Sequence, residues 1–565
     1  MIAEGVDEEP RVSNERAFIG PRAVAFAALA AIYASFHLLV LNVFPLETWN
    51  FRLIHIAGAL LLGFVLFDAR GFVERDASLW NPTRIAGIVL LAPALYALVQ
   101  VGLIQAELAG GAQRIQPDTE TYHFGYPLMA ATFLAIILSW FDRGSERRLP
   151  MADVVLVICA VAVAWYLVLI YGTSARMSTG TAFAPVGISW AAIAGVALIL
   201  ELTRRVAGLA LVIISGVFLV YVFVGPSLPG FLNYPGLTVQ RFFSQVYTDA
   251  GILGPTTAVS STYIILFIIF AGFLQASKVG DYFVNFAFAA AGRARGGPAK
   301  VAIFASGLMG MINGTSAGNV VATGSLTIPL MKKVGYKPQS AGAIEAAATT
   351  GGQIMPPIMG AGAFIMAEIT GIPDTEITIA ALIPAVLYFA SILFMVDFEA
   401  ARMGMRGMRE DELPKFAALL KRVYLFVPII ILIYALFVGY SVIRAGTLAT
   451  AAAAVVSWLP VLVARVFPNS AAVGSVAGMG PRDVFRALEL AGRMSIQIIT
   501  VCACAGIIVG VISLTGVGAR FSSLLLGLAE QNLLGAICAN SDCLELDQNK
   551  ADYHPVAPFP YSQNW

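Results

Sequence analysis

Apolar and polar stretches alternate along almost the whole chain. Apolar runs fall at about 22–44, 51–68, 84–106, 122–141, 151–171, 185–201, 206–225 and 252–276. Further runs lie at 301–331, 340–371, 377–397, 421–440, 446–466, 494–516 and 521–538. Their lengths suit membrane-spanning helices of ~20 residues, whereas a membrane β-barrel needs alternating strands of ~10 residues. The pattern predicts an all-α, polytopic transmembrane helical protein.

Composition narrows the function. Of 565 residues, 58% are hydrophobic and 12% are charged, against roughly 25% charged in a soluble domain. At ~20 residues per span, the apolar fraction allows at most roughly 16 spans. These values exclude a soluble enzyme, a nucleic-acid binder and a disordered scaffold. With 35 basic and 34 acidic residues the formal charge is +1, so no nucleic acid or other polyanion is implied as a partner. Cys159, Cys502, Cys504, Cys538 and Cys543 are too scattered for a disulfide framework. Cys502 and Cys504 form a CxC inside an apolar run with no histidine nearby, which predicts buried packing rather than a metal site.

Loop charge predicts orientation. One set of alternate loops carries Arg70, Arg75 and Arg84, then Arg143, Arg147 and Arg148, then Arg204 and Arg205, then Lys278, Arg293, Arg295 and Lys300. The other set carries Glu47, Glu107, Asp118 and Glu120 with few basic residues. The positive-inside rule places the first set and the N-terminus in the cytoplasm. Residues 1–21 read as a polar cytoplasmic tail without the features of a signal peptide.

Two runs are broken. Residues 301–331 are interrupted by Met311-Ile-Asn-Gly-Thr-Ser-Ala-Gly-Asn319, and basic residues flank both ends. An even number of passes is then required, with halves of about 10–12 residues reaching the midplane at 1.5 Å per residue. This predicts a re-entrant helical hairpin. The run 340–371 is interrupted by Thr349-Thr-Gly-Gly-Gln-Ile-Met-Pro-Pro357, whose glycines and prolines unwind a helix. Irregular backbone at membrane depth is tolerated only against protein or a water-filled cavity, and paired broken segments point to a transporter's substrate and ion site.

A short internal repeat points the same way. Ala271–Phe283 and Val509–Phe521 match at Gly272/Gly510, Ser277/Thr515, Val279/Val517, Gly280/Gly518 and Phe283/Phe521. Loop charge makes the two copies inverted, as in many secondary transporters.

Candidate ligands follow from the breaks. Asn313, Thr315, Ser316 and Asn319 bring side-chain oxygens to the hairpin tip, and Thr349, Thr350 and Gln353 bring polar groups to the second break. Freed carbonyls suit Na⁺, while the N-termini of the following half-helices suit an anion. The bland alternative is that these residues cap helix ends. Glu345, roughly two turns into the membrane, is either a functional carboxylate or the partner of a loop lysine. Gly314-Thr-Ser-Ala-Gly318 formally fits the GxSxG of a serine nucleophile. His37, His55 and His123 lie far upstream and His554 lies in a polar tail, so an intramembrane hydrolase lacks an evident base. Gly310, Gly314 and Gly318 also read as close-packing positions. No GxxxxGK[ST] is present, which argues against ATP-driven transport by this chain alone. A channel is disfavoured by the inverted repeat.

The segment Ala305-Ser-Gly-Leu-Met-Gly-Met-Ile-Asn-Gly-Thr-Ser-Ala-Gly-Asn-Val-Val-Ala-Thr-Gly324, followed by Ile344-Glu-Ala-Ala-Ala-Thr-Thr-Gly-Gly-Gln-Ile-Met-Pro-Pro357, resembles the membrane component of tripartite ATP-independent periplasmic (TRAP) transporters. It looks most like the fused form, with small and large membrane subunits in one chain, served by TAXI-type receptors. The resemblance runs from about residue 20 to about 535. It implies a bacterial inner-membrane permease and Na⁺-driven import of organic anions such as carboxylates. It also implies delivery by a periplasmic binding protein and an elevator motion of a transport domain against a scaffold.

On this resemblance, Asn313, Thr315, Ser316, Asn319, Gly351, Gly352 and Gln353 form the ion and substrate half-site; Gly314, Thr349, Thr350, Pro356, Pro357 and Glu345, from the hairpin tip and the second break, complete the candidate set. Na⁺ falls near Asn313, Ser316, Asn319 and Gly351. No cofactor other than this coupling ion is implied. Residues 22–225 correspond to N-terminal helices with a small-subunit-like scaffold, 226–466 to the first half of the transport subunit, and 467–538 to the start of the second repeat. The family's second hairpin falls where this chain reads as a polar, aperiodic segment, 539–565. The expectation is therefore an incomplete second repeat and a chain that does not transport by itself. The runner-up is a receptor-independent, ion-coupled anion transporter.

Overall fold

The computed structural model describes residues 14–70, 82–111, 115–141, 149–181, 183–277, 279–313, 316–408, 413–420, 422–459, 461 and 478–531. Long apolar segments satisfy every backbone group internally only as helices, and the described residues form helices joined by short turns. One isolated bridge joins Glu15 and Phe67. Among the described residues, 10 helices are long and apolar enough to cross a membrane. Gly314, Thr315, Lys278 and the segment 539–565 lie outside the described residues.

Helix positions follow the apolar runs, with two departures. The hairpin arms are longer than halves of 10–12 residues. The first, Gly297–Asn313, has 17 residues, about 25 Å at 1.5 Å per residue. The second begins at Ser316, passes through a π-helical turn at Val320–Gly324 and ends at Lys333. The run 494–516 lies inside one helix of 35 residues, Pro481–Thr515. Its amphipathic start is held by Asp483, which accepts from Gly480 N at 2.9 Å, and by the Glu489–Arg493 pair one turn apart.

The chain divides into two units. One comprises, among the described residues, those of 14–29, 46–261 and 495–531. There Met151–Tyr171 packs against Thr48–Leu66 and Pro82–Ala109, and Val186–Val206 packs against Tyr126–Phe141 and Val239–Val246. Its polar end is an ion-pair network. Arg16 is 1% exposed, although it lies in the stretch that reads as a polar tail. It donates to Asp68 Oδ1 at 2.9 Å, to Asp153, and to the carbonyls of Phe64 and Val65. Arg205 donates to Asp153 Oδ1 and Glu201 Oε1, both at 2.8 Å, and Arg204 also donates to Glu201. Arg204 and Arg205, which loop charge counts toward orientation, thus help to close the ends of these helices. Cys502 and Cys504 are buried, and Cys504 Sγ lies 3.1 Å from Ser215 Oγ.

The second unit comprises, among the described residues, those of 30–45 and 262–494. Its core joins Ala299, Ala302 and Ile303 of the first hairpin arm to Met331, Ile344, Ala348 and Val396. A second cluster packs Phe288 and Ala291 against Val301 and Ala305. Each copy of the internal repeat has the same local form. A spanning helix ends at Ala276 or Thr515, and an amphipathic helix begins at Val279 or Val517. Ser277 and Thr515 each donate back to a carbonyl of the preceding turn, at 3.0 and 2.7 Å.

Candidate functional site

Both broken segments belong to the second unit. The hairpin arms pack side by side, Gly297–Asn313 against the chain from Ser316 to Lys333. Asn319 locks them together: its Nδ2 donates to Ser306 O at 2.8 Å. Asn319 is fully buried, and its Oδ1 has no hydrogen-bond partner among the described residues. A buried acceptor left unmet costs about 1–3 kcal/mol, and such a group in a native fold calls for an explanation, a bound ion among them.

The second break is as the Gly-Gly and Pro-Pro pairs require. Helix Pro338–Gly351 ends, and the next, Ala361–Thr370, begins after Gly360. Between them, Gln353 N and Ile354 N turn back to Thr350 O and Gly351 O, and Gly360 N donates to Gln353 O at 2.6 Å. Met359 adopts φ +53°, a conformation rare outside glycine. The peptide between Pro356 and Pro357 is cis.

The break and the hairpin meet at glycines. A methyl group on Gly352 would lie 2.8 Å from Gly310 Cα, 2.9 Å from Asn319 Nδ2 and 3.1 Å from Thr349 O. The backbones approach this closely because neither residue carries a side chain. On the next residue, Gly351, a methyl would meet the Tyr388 ring at 2.5 Å. Tyr388 OH donates to Ala347 O at 3.0 Å, holding the end of the helix before the break.

Glu345 is 1% exposed. Its partners are hydroxyls: Thr323 Oγ1 at 2.5 Å and Ser306 Oγ at 3.3 Å on Oε1, and Thr327 Oγ1 at 2.6 Å on Oε2. The loop-lysine alternative does not hold among the described residues. Lys300 pairs with Asp397 at 2.5 Å, and no ion pair joins Lys332, Lys333 or Lys337 to Glu345.

Other candidates separate by environment. Thr349 and Thr350 donate to carbonyls of their own helix, at 2.9 Å to Glu345 O and 2.8 Å to Ala346 O, as capping residues do. Thr350 and Gln353 are exposed, Ser316 is half-buried, and Pro356 and Pro357 are buried. Asn313 closes the first arm. Ser306, Thr323 and Thr327 were not singled out from sequence. Their signal was the spacing Asn319, Thr323, Thr327, which puts polar groups every fourth residue along an apolar arm. Among the histidines, His37 Nδ1 lies 2.8 Å from Tyr33 O, His55 Nε2 lies 2.8 Å from Ser260 Oγ, and His123 Nδ1 lies 2.7 Å from Tyr96 OH.

A family model described as "Tripartite ATP-independent periplasmic transporter, DctM component" matches residues 194–544. A 139-residue stretch is 28% identical to "Uncharacterized protein y4mL" of Sinorhizobium fredii (strain NBRC 101917 / NGR234). That stretch covers 24% of this chain and 33% of the relative, so the chain spans about a third of that protein's length.

Proposed function

The chain belongs to the DctM component family of tripartite ATP-independent periplasmic transporters, and we propose that it is the permease of a secondary transporter importing small organic anions, carboxylates, with Na⁺. The observation that carries this reading is the meeting of the two broken segments at Gly310 and Gly352, beside the unmet Asn319 Oδ1. Discontinuous helices that converge in this way build the ion and substrate sites of secondary transporters. Asn319 and Ser316 serve as Na⁺ ligands together with backbone carbonyls near Asn313 and Gly351. The starts of the second arm and of helix Ala361–Thr370 offer amide dipoles to the anion.

The substrate is delivered by a periplasmic binding protein of the TAXI type. The helices before residue 194 take the part of the small membrane subunit, and transport proceeds as an elevator. The test is uptake in proteoliposomes with an inward sodium gradient and a loaded binding protein, by a homologue that carries these motifs together with the second hairpin. Asn319→Ala and Ser316→Ala are expected to weaken sodium activation about 10-fold, since an ion deprived of one oxygen at membrane depth cannot easily recruit water. Sodium activation unchanged in both variants would assign these residues to helix capping.

The protein sits in the bacterial inner membrane with its N-terminus in the cytoplasm, and both hairpin feet face the same side. Single cysteines at the exposed Arg293 and Lys332 are expected to react with an impermeant thiol reagent from the cytoplasmic face. Labelling of either from the periplasm rejects this orientation.

A further inference from the structure

Glu345 has more acceptors around it than hydrogens to share. Thr323 Oγ1 lies 2.5 Å from Glu345 Oε1 and 2.9 Å from Asn319 O. Thr327 Oγ1 lies 2.6 Å from Glu345 Oε2 and 3.0 Å from Thr323 O. Carbonyl and carboxylate oxygens only accept, and each hydroxyl carries one hydrogen. An ionised Glu345 therefore leaves each threonine with one hydrogen for two acceptors. A protonated Glu345 supplies one of the two missing hydrogens. Its own O–H donates to a threonine oxygen, and that threonine donates to its backbone carbonyl. Ser306 Oγ, 3.2 Å from Thr323 Oγ1 and 3.3 Å from Glu345 Oε1, can turn its hydrogen to either.

The surroundings favour the neutral acid. Glu345, Ser306, Thr323 and Thr327 are each at most 1% exposed, and an uncompensated carboxylate at membrane depth is expensive. The charged groups on the packed elements make no contact with the carboxyl among the described residues. On the hairpin arms these are Lys300, Lys332 and Lys333; on helix Asp374–Arg402 they are Asp374, Glu376, Asp397, Glu399 and Arg402, with the titratable Tyr388. Lys300 and Arg295 are both held by Asp397, and Tyr388 is turned to Ala347 O. A metal ion cannot lie between these oxygens as the proton does. The carboxyl and hydroxyl oxygens stand 2.5–2.6 Å apart, whereas even a hard cation such as Ca²⁺ needs ~2.3–2.6 Å to each ligand oxygen.

We propose that Glu345 is a proton-binding site, and that proton uptake and release at this carboxyl accompany the transport cycle. The proton enters from whichever aqueous face the cluster opens to and converts carboxylate to carboxylic acid; it leaves by the reverse step. Coupling to transport rests on the permease reading above, whereas proton binding does not.

The two are tested apart. Infrared difference spectra of the reconstituted full chain, recorded between alkaline and acidic pH without substrate or receptor, are expected to show the C=O band of a buried protonated carboxyl. Glu345→Gln should remove it. Thr327→Val, which keeps the shape and removes one donor, should move its frequency and midpoint; this second variant serves if Glu345→Gln folds poorly. Absence of the band, or its survival in Glu345→Gln, overturns the proposal. Bleaching of the band by Na⁺ at constant pH also overturns it, by making the carboxylate a sodium ligand.

In proteoliposomes of that homologue with a loaded binding protein, an inward proton gradient should raise wild-type uptake several-fold and have no effect on uptake by the variant matching Glu345→Gln. Uptake indifferent to that gradient refutes the coupling. No uptake under any gradient, with the band intact, upholds the proton site and counts against the permease reading.

Discussion

Replacing Arg16 by alanine is expected to destabilise the first unit by about 3–5 kcal/mol, because Asp68 loses its ion-pair partner in a buried site and Asp153 keeps only Arg205. Arg16 and Asp153 are both at most 1% exposed and Asp68 is 3% exposed, so water cannot take the place of the guanidinium. Thermal unfolding in detergent checks the size of the loss. The comparison is Arg176→Ala, whose pair with Glu47 at 2.8 Å is about a third exposed and should contribute less than ~1 kcal/mol. The loss also has a pH dependence. Burial pushes the Asp68 carboxyl above its usual range, and the charge of Arg16 pulls it back. A group whose folded-state value is raised stabilises fully below its ordinary value, about 3.9 for Asp, and that contribution is lost as pH rises through the raised value. Without Arg16 the largest downward pull is gone, the Ala69 N–H and the charge of Arg205 remain, and the carboxyl rises further. The gap between wild type and Arg16→Ala should therefore narrow as the pH falls from neutral toward the carboxylate range. Equal melting of Arg16→Ala and Arg176→Ala would show that the network is not what closes these helix ends.

This network illustrates what a linear reading misses. The helices were legible because the length of an apolar run is a local property, and the two breaks were legible because Gly351, Gly352, Pro356 and Pro357 disrupt a helix wherever they stand. Arg16, by contrast, meets Asp68 and Asp153 across 52 and 137 residues. Nothing in a polar N-terminal stretch distinguishes an arginine that will be buried from one that stays in water. The start of helix Pro481–Thr515 escaped for a related reason: capping by Asp483 and the Glu489–Arg493 pair extend a helix through residues that are not apolar. At the site, Glu345 was conspicuous as a carboxylate in an apolar run. Its partners were not, because a threonine in an apolar helix usually bonds its own backbone. Thr349 and Thr350 do only that, whereas Thr323 and Thr327 reach a second helix as well. Only the packing of the second arm on helix Pro338–Gly351 tells the two kinds apart.

Adding one carbon at the glycine contact is expected to separate the hairpin from the break. In Gly310→Ala the new methyl runs into the backbone of Gly352, and in Gly352→Ala it meets Gly310 Cα, Asn319 Nδ2 and Thr349 O at 2.8–3.1 Å. Most of these neighbours are backbone atoms, which cannot rotate aside as the end of a flexible side chain can. Overpacking of this kind costs about 1–3 kcal/mol. The strain falls on Asn319, whose Nδ2 bond to Ser306 O holds the two arms together. Opening that bond would expose more unmet polar groups at membrane depth, so the loss of uptake should exceed what the drop in stability alone implies. Gly342→Ala, on the same helix before the break, is the control. A methyl there meets nothing within 4 Å, and alanine is the better helix former by about 1 kcal/mol, so that variant should be as stable as wild type or more so and should transport normally. Melting temperature and sodium-driven uptake, measured on all three variants, decide the matter. If Gly310→Ala and Gly352→Ala behave like Gly342→Ala, the two broken segments do not depend on this contact, and the ion and substrate site must be sought along another part of the hairpin.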